Sequence, residues 1–382
     1  MWSETGPLRY ERLTWPEVRR AAGEDRVALV PVATLEDHGP HLPVDTDLRI
    51  VSEICERAAA RAADRVVLLP AIPHGYDPHH MDFPGAITIG WDTFVRYCAD
   101  VGRSLAHHGF RRMLFLNGHG SNQNLVETAA RLVMVERPEV LAAAAFYLAS
   151  PAAFEVIERV RESTRGGMAH ACELETSIYL AIDPDAVAME LAVDERSYPE
   201  GEHAWLDWSD GPLKLMPWWS FSRSGVQGDA TLGTAAKGEA LLEAAVTECV
   251  AYVDELLAKP LPERQDVVSW KLLGQVELVK VKDRYEPKFA AGIAALDKKE
   301  VKVQGFMMPL EMGDKQTHFI LSAMPQSCAF CLPGGPEQLV EIKSKTPIKY
   351  TFEPLVLTGR LAVLKDDPTG VFYRLTDAVP AK

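Results

Sequence analysis

Val27-Ala-Leu-Val-Pro-Val-Ala33 is a continuous apolar run of strand length, and it leads into Glu36-Asp-His38-Gly-Pro-His41-Leu-Pro-Val-Asp45-Thr-Asp47. An unbroken apolar strand is typical of a parallel sheet that helices cover on both faces. The polar stretch behind it places six acidic or imidazole side chains within twelve residues. Such side chains bind metals or carry protons, so this stretch predicts a functional site at the end of a buried strand.

Two further apolar runs end in polar segments in the same way. Val66-Val-Leu-Leu-Pro-Ala71 precedes His74-Gly-Tyr-Asp77-Pro-His79-His80, and Met113-Leu-Phe-Leu116 precedes Asn117-Gly-His119-Gly-Ser121-Asn122. Apolar residues at helical spacing predict intervening helices over residues 48–63, 91–107 and 124–136. Strands that alternate with helices predict a mainly parallel sheet with helices on both sides. Because ligands gather at the carboxyl ends of such strands, we expect the three polar segments to face one crevice.

The pattern continues over the next part of the chain. It predicts a strand over 141–147, a helix that ends near Ile182 and a long helix over 234–257. Residues 200–232, rich in Trp, Gly and Ser, are predicted to form long loops. The tryptophans of this region have two interpretations, a cover over a bound ring or packing between subunits. They are Trp205, Trp208, Trp218 and Trp219.

A domain boundary is predicted at Lys259-Pro-Leu-Pro-Glu-Arg264, where the helical pattern stops. Downstream, lysine, β-branched residues and short alternating runs such as Glu300-Val-Lys-Val-Gln304 become common. We therefore predict two domains, residues 1–262 and a smaller β-rich domain over 263–382. In the second, Cys328-Ala-Phe-Cys331 is either a redox pair, a half-site completed by His318, or two buried thiols.

Composition restricts the class of partner. The formal net charge is −14 and no basic run offsets it, which argues against nucleic acid or an anionic membrane surface and favours a small molecule. No segment approaches the ~18 unbroken apolar residues of a membrane span. The amino-terminal segment lacks the pattern of a secretory signal, and the scattered cysteines suit reduced thiols, so a cytoplasmic location is expected.

The chemistry of the first polar stretch suits a metal ion. Glu36 and His38 project to the same side of an extended backbone, and either Asp45 or Asp47 can return from the loop. His119 would add a ligand from the neighbouring strand end. Mixed imidazole and carboxylate ligands fit zinc, manganese or iron(II). The alternative is a polar loop whose histidines only form hydrogen bonds.

Five motifs together resemble the creatininase family, over roughly residues 8–257. In chain order they are Glu36-x-His38-Gly-x-His-Leu-Pro-x-x-Thr-Asp47, Phe83-Pro-Gly85, Asn117-Gly-His119-Gly, His170-Ala-x-Glu173-x-Glu175-Thr-Ser177, and Gly225-Val-x-Gly228-Asp with Lys237-Gly238. The resemblance implies a metal-dependent amidohydrolase on a three-layer α/β/α fold, with one or two metal ions and a homo-oligomeric assembly. It further implies that Glu36, Asp47 and His119 bind one metal, and that Asp47 bridges to a second held by His38.

The sequence departs from the family at the last ligand of the second metal. Creatininase has a glutamate two residues after the histidine that matches His119, where this chain has Ser121. Glu173 is the substitute that the resemblance suggests, although the choice between Glu173 and Glu175 stays open. Cys172 and Ala86 also replace family residues, so creatinine itself is not the predicted substrate. The second domain resembles an uncharacterised small β domain of bacterial proteins.

These observations predict a hydrolase that cleaves a C–N bond of a small amide, lactam or formamide with a metal-activated water. The predicted metal is zinc, with manganese or iron as alternatives, held by Glu36, His38, Asp47, His119 and Glu173. His170 and Glu175 are predicted to carry protons, and the substrate contacts are predicted to be His80, Ser121 and Cys172. A second hypothesis is a non-catalytic metal-binding scaffold whose β domain binds partners.

Overall fold

The computed structural model describes residues 8–209, 211, 213, 222–262, 266–281, 284–311, 313–323, 335–351 and 354–381. The predictions for Trp218, Trp219, Cys328 and Cys331 concern residues outside this set. The chain divides into two compact units, Met1–Pro262 and Glu263–Lys382. Among the described helices, none has the length and apolar character needed to cross a bilayer.

A parallel sheet forms the centre of the first unit. Its strands are Leu8–Arg9 (β1), Val27–Val32 (β2), Val66–Leu68 (β3), Arg112–Asn117 (β4) and Leu141–Phe146 (β5). They lie in the order β1-β3-β2-β4-β5, and every neighbouring pair is parallel. All six residues of β2 are buried, as expected for a strand with helices on both faces. The predicted parallel sheet is confirmed.

Seven helices accompany this sheet within the described residues. They are Trp15–Gly23 (α1), Thr46–Arg61 (α2), Trp91–His107 (α3), Gln123–Glu136 (α4), Pro151–Val160 (α5), Glu173–Ile182 (α6) and Ala235–Ala258 (α7). Val27 and Leu29 of β2 pack with apolar residues of α2, α5, α6 and α7. Ala28 and Val30 face the other way and pack with α1, α3 and α4. Successive strand residues thus enter two separate cores, which confirms the three-layer α/β/α fold.

A small antiparallel sheet follows the large sheet in chain order, and its first strand contains His170 of the site. Met168–His170 (β6), Asp194–Glu195 (β7) and Gln227–Asp229 (β8) pair in the order β6-β8-β7. Strand β8 lies in the region predicted to be loop. It is three residues long with a glycine at its centre, so it carries no alternating pattern that a sequence reading could detect.

The second unit is rich in β-structure, as predicted. Its elements are Trp270–Leu273 (α8), Val276–Val281 (β9), Arg284–Phe289 (β10), Ala291–Ala294 (α9), Glu300–Pro309 (β11), Lys315–Ser322 (β12), Leu339–Lys349 (β13), Leu355–Val363 (β14) and Tyr373–Pro380 (β15). Strands β9 and β10 form an antiparallel pair. The other five close a barrel in the order β11-β12-β13-β15-β14, with β13 and β15 parallel.

Removal of the second unit tests the predicted boundary. A protein ending at Pro262 is expected to fold and to bind the same number of metal ions as the full chain, because the candidate ligands all precede this residue. Circular dichroism and metal analysis measure the two properties. An unfolded truncated protein, or one that has lost its metal, would show that the boundary is wrongly placed or that the units depend on each other.

Candidate metal centre

Ten buried histidine and acidic side chains come together at the carboxyl edge of the parallel sheet. The three polar segments that follow β2, β3 and β4 supply seven of them, and α2, β6 and α6 add one each. The most exposed of the ten is His170, at 8%. The set is Glu36, Asp37, His38, Asp47, Asp77, His79, His80, His119, His170 and Glu175.

Three atoms form a first group that suits one ion. The Nδ1 atom of His119 lies 3.1 Å from Glu36 Oε2 and 3.1 Å from Asp47 Oδ2. Two ligand atoms that are each about 2.1 Å from a tetrahedral zinc ion are separated by about 3.4 Å. The two nitrogen–oxygen separations are close to this value, so His119 can share a cation with each of the two carboxylates.

A second group lies on the other side of Asp47. His38 Nε2 is 3.3 Å from Asp47 Oδ1 and 3.8 Å from Glu175 Oε1. His38, Asp47 and Glu175 each offer one ligand atom, and the three atoms lie within 4.8 Å of one another. Asp47 therefore presents one carboxylate oxygen to each group, which is the geometry of a carboxylate that bridges two ions.

Unpaired polar atoms show that these residues fit a metal. In the part of the chain that the structure describes, Glu36 Oε2, Asp47 Oδ2 and both ring nitrogens of His38 are buried without a hydrogen-bond partner. Leaving such a group unsatisfied costs about 1–3 kcal/mol, and more if it is charged. A bound divalent cation would satisfy these atoms together and neutralise the buried carboxylates.

The pKa values reflect the same concentration of negative charge. Burial raises the pKa of Glu36 well above its usual range, and the carboxylates of Asp47 and Asp77 raise it further. For His38, burial opposes protonation, but Asp47 and Glu175 outweigh it and raise its pKa well above the ordinary value. The cluster thus draws a positive charge to itself, whether a proton or a metal ion.

Glu175 is held by the turn that begins α6. The N–H of Ala171 donates to Glu175 Oε2 at 2.6 Å, and Ala171 itself has a φ of +51°. A positive φ is strained for alanine, and strain of this kind is retained where the surroundings fix the backbone. One oxygen of Glu175 therefore accepts a backbone N–H just before α6 begins, while the other faces His38.

Glu173 faces away from the cluster, which contradicts its prediction as a metal ligand. Its carboxylate accepts hydrogen bonds from Lys237 Nζ at 2.7 Å and from the N–H groups of Glu162 and Ser163 at 2.9 Å each. Residues two apart on a helix point in nearly opposite directions, so Glu173 and Glu175 cannot both reach the same ion. Of the two candidates, Glu175 is the one that the structure places beside His38.

Two further histidines are oriented by Asp37, which the sequence reading did not single out. His170 Nε2 lies 2.8 Å from the Asp37 carbonyl oxygen, and His80 Nδ1 lies 2.5 Å from Asp37 Oδ1. A carbonyl only accepts, so His170 carries its proton on Nε2 and directs Nδ1 toward Glu36 Oε1, 3.5 Å away. His80 lies inside the cluster, with Nε2 3.5 Å from Glu36 Oε2.

Of the other predicted substrate contacts, Ser121 lies at the edge of the cluster and Cys172 does not. Ser121 Oγ is 2.8 Å from His79 Nε2 and remains partly exposed. Cys172 is completely buried among apolar residues, with Sγ 3.9 Å from Glu175 Oε2. The structure therefore contradicts a substrate contact for Cys172, because its side chain packs behind Glu175 in the core.

Two glycines permit the close approach of the segments. A Cβ atom on Gly118 would lie 2.9 Å from Val51 Cβ and 3.0 Å from the carbonyl oxygen of Asp47, so a larger residue would push His119 away from α2. Gly225, with φ of +81°, would place a Cβ 2.0 Å from Asp37 Oδ2. Both belong to segments that carry the family resemblance.

The two described tryptophans of the loop region contact other protein side chains and backbone. Trp208 donates its Nε1–H to the carbonyl oxygen of Leu148 and packs against Phe146 and Tyr147. Trp205 lies under the guanidinium of Arg165, 5.1 Å from the ring centroid. Asp77 and His79, by contrast, belong to the cluster although neither is among the predicted site residues. Their position at the end of β3 was the available signal.

Comparison with known families agrees with this geometry. Residues 11–253 match the creatininase family model, described as creatinine amidohydrolase, and this match spans more than half of the chain. The chain belongs to the creatininase family. Residues 265–376 match a second model, described as a protein of unknown function (DUF3299).

Similar proteins of this family have several activities. A mycofactocin precursor peptide peptidase of Mycobacterium tuberculosis is 31% identical over 247 residues, which cover 61% of this chain and 86% of the relative. A 3-dehydro-scyllo-inosose hydrolase of Thermotoga maritima is 27% identical over 274 residues, covering 65% and 84%. A crystal structure of creatininase superposes with a TM-score of 0.57 at 26% identity, over 66% of this chain and 99% of that one. Solved structures of creatininase include a glutamate-to-glutamine mutant of Zn-Zn type and a manganese form.

Proposed function

We propose that the first unit is a metal-dependent amidohydrolase that cleaves a C–N bond in a small amide, lactam or formamide. The observation that carries this proposal is the position of Asp47, whose two oxygens face His38 and His119 in two separate ligand groups. Similarity to creatininase, itself solved with manganese and with zinc, supports hydrolysis at such a centre.

The ligands would divide between two positions. Glu36, Asp47 and His119 hold one ion, and His38, Asp47 and Glu175 hold the other. Zinc is the proposed metal, with manganese and iron as alternatives, because the ligands combine imidazole nitrogen with carboxylate oxygen. When bound, such ions lower the pKa of a water molecule and polarise a carbonyl group.

His170 is the proposed proton carrier. Its Nε2 proton is fixed on the Asp37 carbonyl, so Nδ1 can accept a proton on the side that faces Glu36. Burial, with help from His38 and His80, lowers the pKa of His170 well below its usual value, which keeps the ring neutral. Both oxygens of Glu175 already have partners, which favours His170 over Glu175 for this role.

A peptide bond is the second candidate for the bond cleaved. It is favoured by the 31% identity with the M. tuberculosis peptidase. We favour the smaller substrate because His80, at 1% exposure, and His119, at 4%, leave little surface for a long chain to contact. A homo-oligomer and a cytoplasmic location remain predictions.

The proposal is tested with the purified full-length protein. Metal analysis is expected to find one or two divalent ions per chain, and a panel of amides, lactams, formamides and short peptides is expected to include a substrate. Chelation should abolish its hydrolysis, and added zinc or manganese should restore it. A protein without stoichiometric metal, or hydrolysis unaffected by chelation, would overturn the proposal, whereas bound metal without hydrolysis of any compound would favour the non-catalytic metal-binding scaffold.

A further inference from the structure

Asp77 is a buried carboxylate beside Glu36, and each of these two carboxylates affects the pKa of the other. Its side chain is 0% exposed, and neither oxygen has a hydrogen-bond partner within the described ranges. Three imidazole nitrogens surround its Oδ1 atom: His79 Nδ1 at 3.4 Å, His119 Nε2 at 3.8 Å and His80 Nε2 at 3.9 Å. A carboxylate in such a place costs free energy unless a positive charge or a fixed donor compensates it.

The two nitrogens of His119 face different partners. Nδ1 lies 3.1 Å from both Glu36 and Asp47, whereas Nε2 is directed toward Asp77 and is itself buried without a hydrogen-bond partner among the residues described. If Nδ1 binds a metal ion, the ring proton must reside on Nε2. Metal-binding histidines almost always donate this second N–H to a carboxylate, a carbonyl or water.

We propose that Asp77 is a positioning residue that accepts the Nε2–H of His119 and so directs Nδ1 of that ring at the first metal position. The inference rests on the proposed function, since it requires that Glu36, Asp47 and His119 bind a metal. It goes further by assigning a role to a residue that does not contact the metal.

A direct metal ligand is the competing role for Asp77. Glu36, Asp77, His79 and His119 each offer an atom within 4.8 Å of the others, so an ion could lie among them. The Nδ1 side of His119 has the shorter distances, 3.1 Å against 3.8 Å, which places the metal between Glu36 and Asp47 and leaves Asp77 behind the ring.

A purely structural role for the carboxylate is not supported by its contacts. The turn around Asp77 is held by its backbone, whose N–H donates to Thr88 Oγ1 at 2.8 Å. The side chain forms no hydrogen bond to the turn among the residues described. Asparagine preserves its size and removes its charge, so Asp77→Asn isolates the effect of the carboxylate.

The test is calorimetric titration of the metal-free full chain with zinc. Asp77→Asn is expected to weaken binding at one position about 10-fold to 100-fold, as found when carboxylates behind metal-binding histidines are removed. Asp45→Asn is the control, because Asp45 lies in the loop before α2 and its side chain accepts, among the described residues, only from Tyr179 Oη, at 2.9 Å. It is expected to bind zinc as the wild type does.

Thermal unfolding of the metal-free proteins separates positioning from structural support. Asp77→Asn is expected to unfold at or above the wild-type temperature, because it removes an uncompensated buried charge. Unchanged zinc affinity, a metal-free variant that unfolds earlier or fails to fold, or a zinc-bound crystal structure with Asp77 as ligand would each overturn the inference. Failure of the wild type to bind zinc, manganese or iron(II) would instead refute the proposed function.

Discussion

Asp47→Ala is expected to remove metal from both positions and to reduce hydrolysis by at least about a thousandfold, equivalent to roughly 4 kcal/mol of activation free energy. The reason is that Asp47 offers an oxygen to each ligand group, Oδ1 to His38 at 3.3 Å and Oδ2 to His119 at 3.1 Å. Metal content per chain and the turnover rate are the quantities to measure. His119→Ala is expected to lose activity as well, because it removes a ligand of the first position.

Asp45→Asn controls for changes in the same loop, since Asp45 contacts Tyr179 rather than the cluster. It is expected to retain metal and activity. An Asp47→Ala protein with wild-type metal content would contradict the assignment of Asp47 as the shared ligand.

Glu173→Ala is expected to have the largest effect on stability, lowering the free energy of unfolding by about 3 kcal/mol, the lower end of the range for breaking a buried ion pair. The change leaves the N–H groups of Glu162 and Ser163 without their acceptor, while Lys237 keeps the more exposed Glu162 carboxylate at 2.7 Å. Urea unfolding of the metal-free protein measures the difference.

The effect of Glu173 should depend on pH with a definite sign. Burial raises its pKa, but Lys237 and the donors at Ser163 and Glu162 outweigh burial, so the pKa lies below the ordinary value. A lowered pKa stabilises the fold above the unfolded-state pKa, and this stabilisation is lost as the pH falls through the folded-state pKa. The difference between wild type and Glu173→Ala should therefore shrink in acid.

Glu175→Gln is the matched comparison, because Glu175 lies two residues after Glu173 in α6 but faces His38. It is expected to lose metal from the second position while its metal-free stability changes much less than that of Glu173→Ala. The reverse pattern, with metal lost from Glu173→Ala and retained by Glu175→Gln, would show that the two glutamates have been assigned the wrong way round.

Much of the first unit follows from local pattern. β2 can be predicted from its continuous apolar run, and α3 can be predicted from the helical spacing of its apolar residues. Each of these elements is close to its predicted range. Glu36, His38, Asp47 and His119 also come together as expected, because the ends of parallel strands meet at one edge. The topology of the sheet, rather than their separation in sequence, brings them together.

Other features depend on contacts that local pattern does not encode. Glu173 is held away from the cluster by an ion pair with Lys237 on α7, far away in sequence. Asp77 acquires its surroundings only when three imidazoles from two segments converge on it. Closure of the barrel likewise requires β13 to pair with β15 rather than with β14, its neighbour in sequence, and alternation within a strand does not specify its partner.

Anomalous X-ray diffraction from crystals loaded with zinc tests the central claim most directly, because it locates each ion independently of the protein coordinates. Peaks are predicted about 2.0–2.2 Å from ligand atoms of Glu36, Asp47 and His119, and at the same distance from His38, Asp47 and Glu175. A single ion in either group would still be bound by Asp47, because Asp47 belongs to both groups. Absence of a peak at Asp47, or a peak bound by Glu173, would contradict the account.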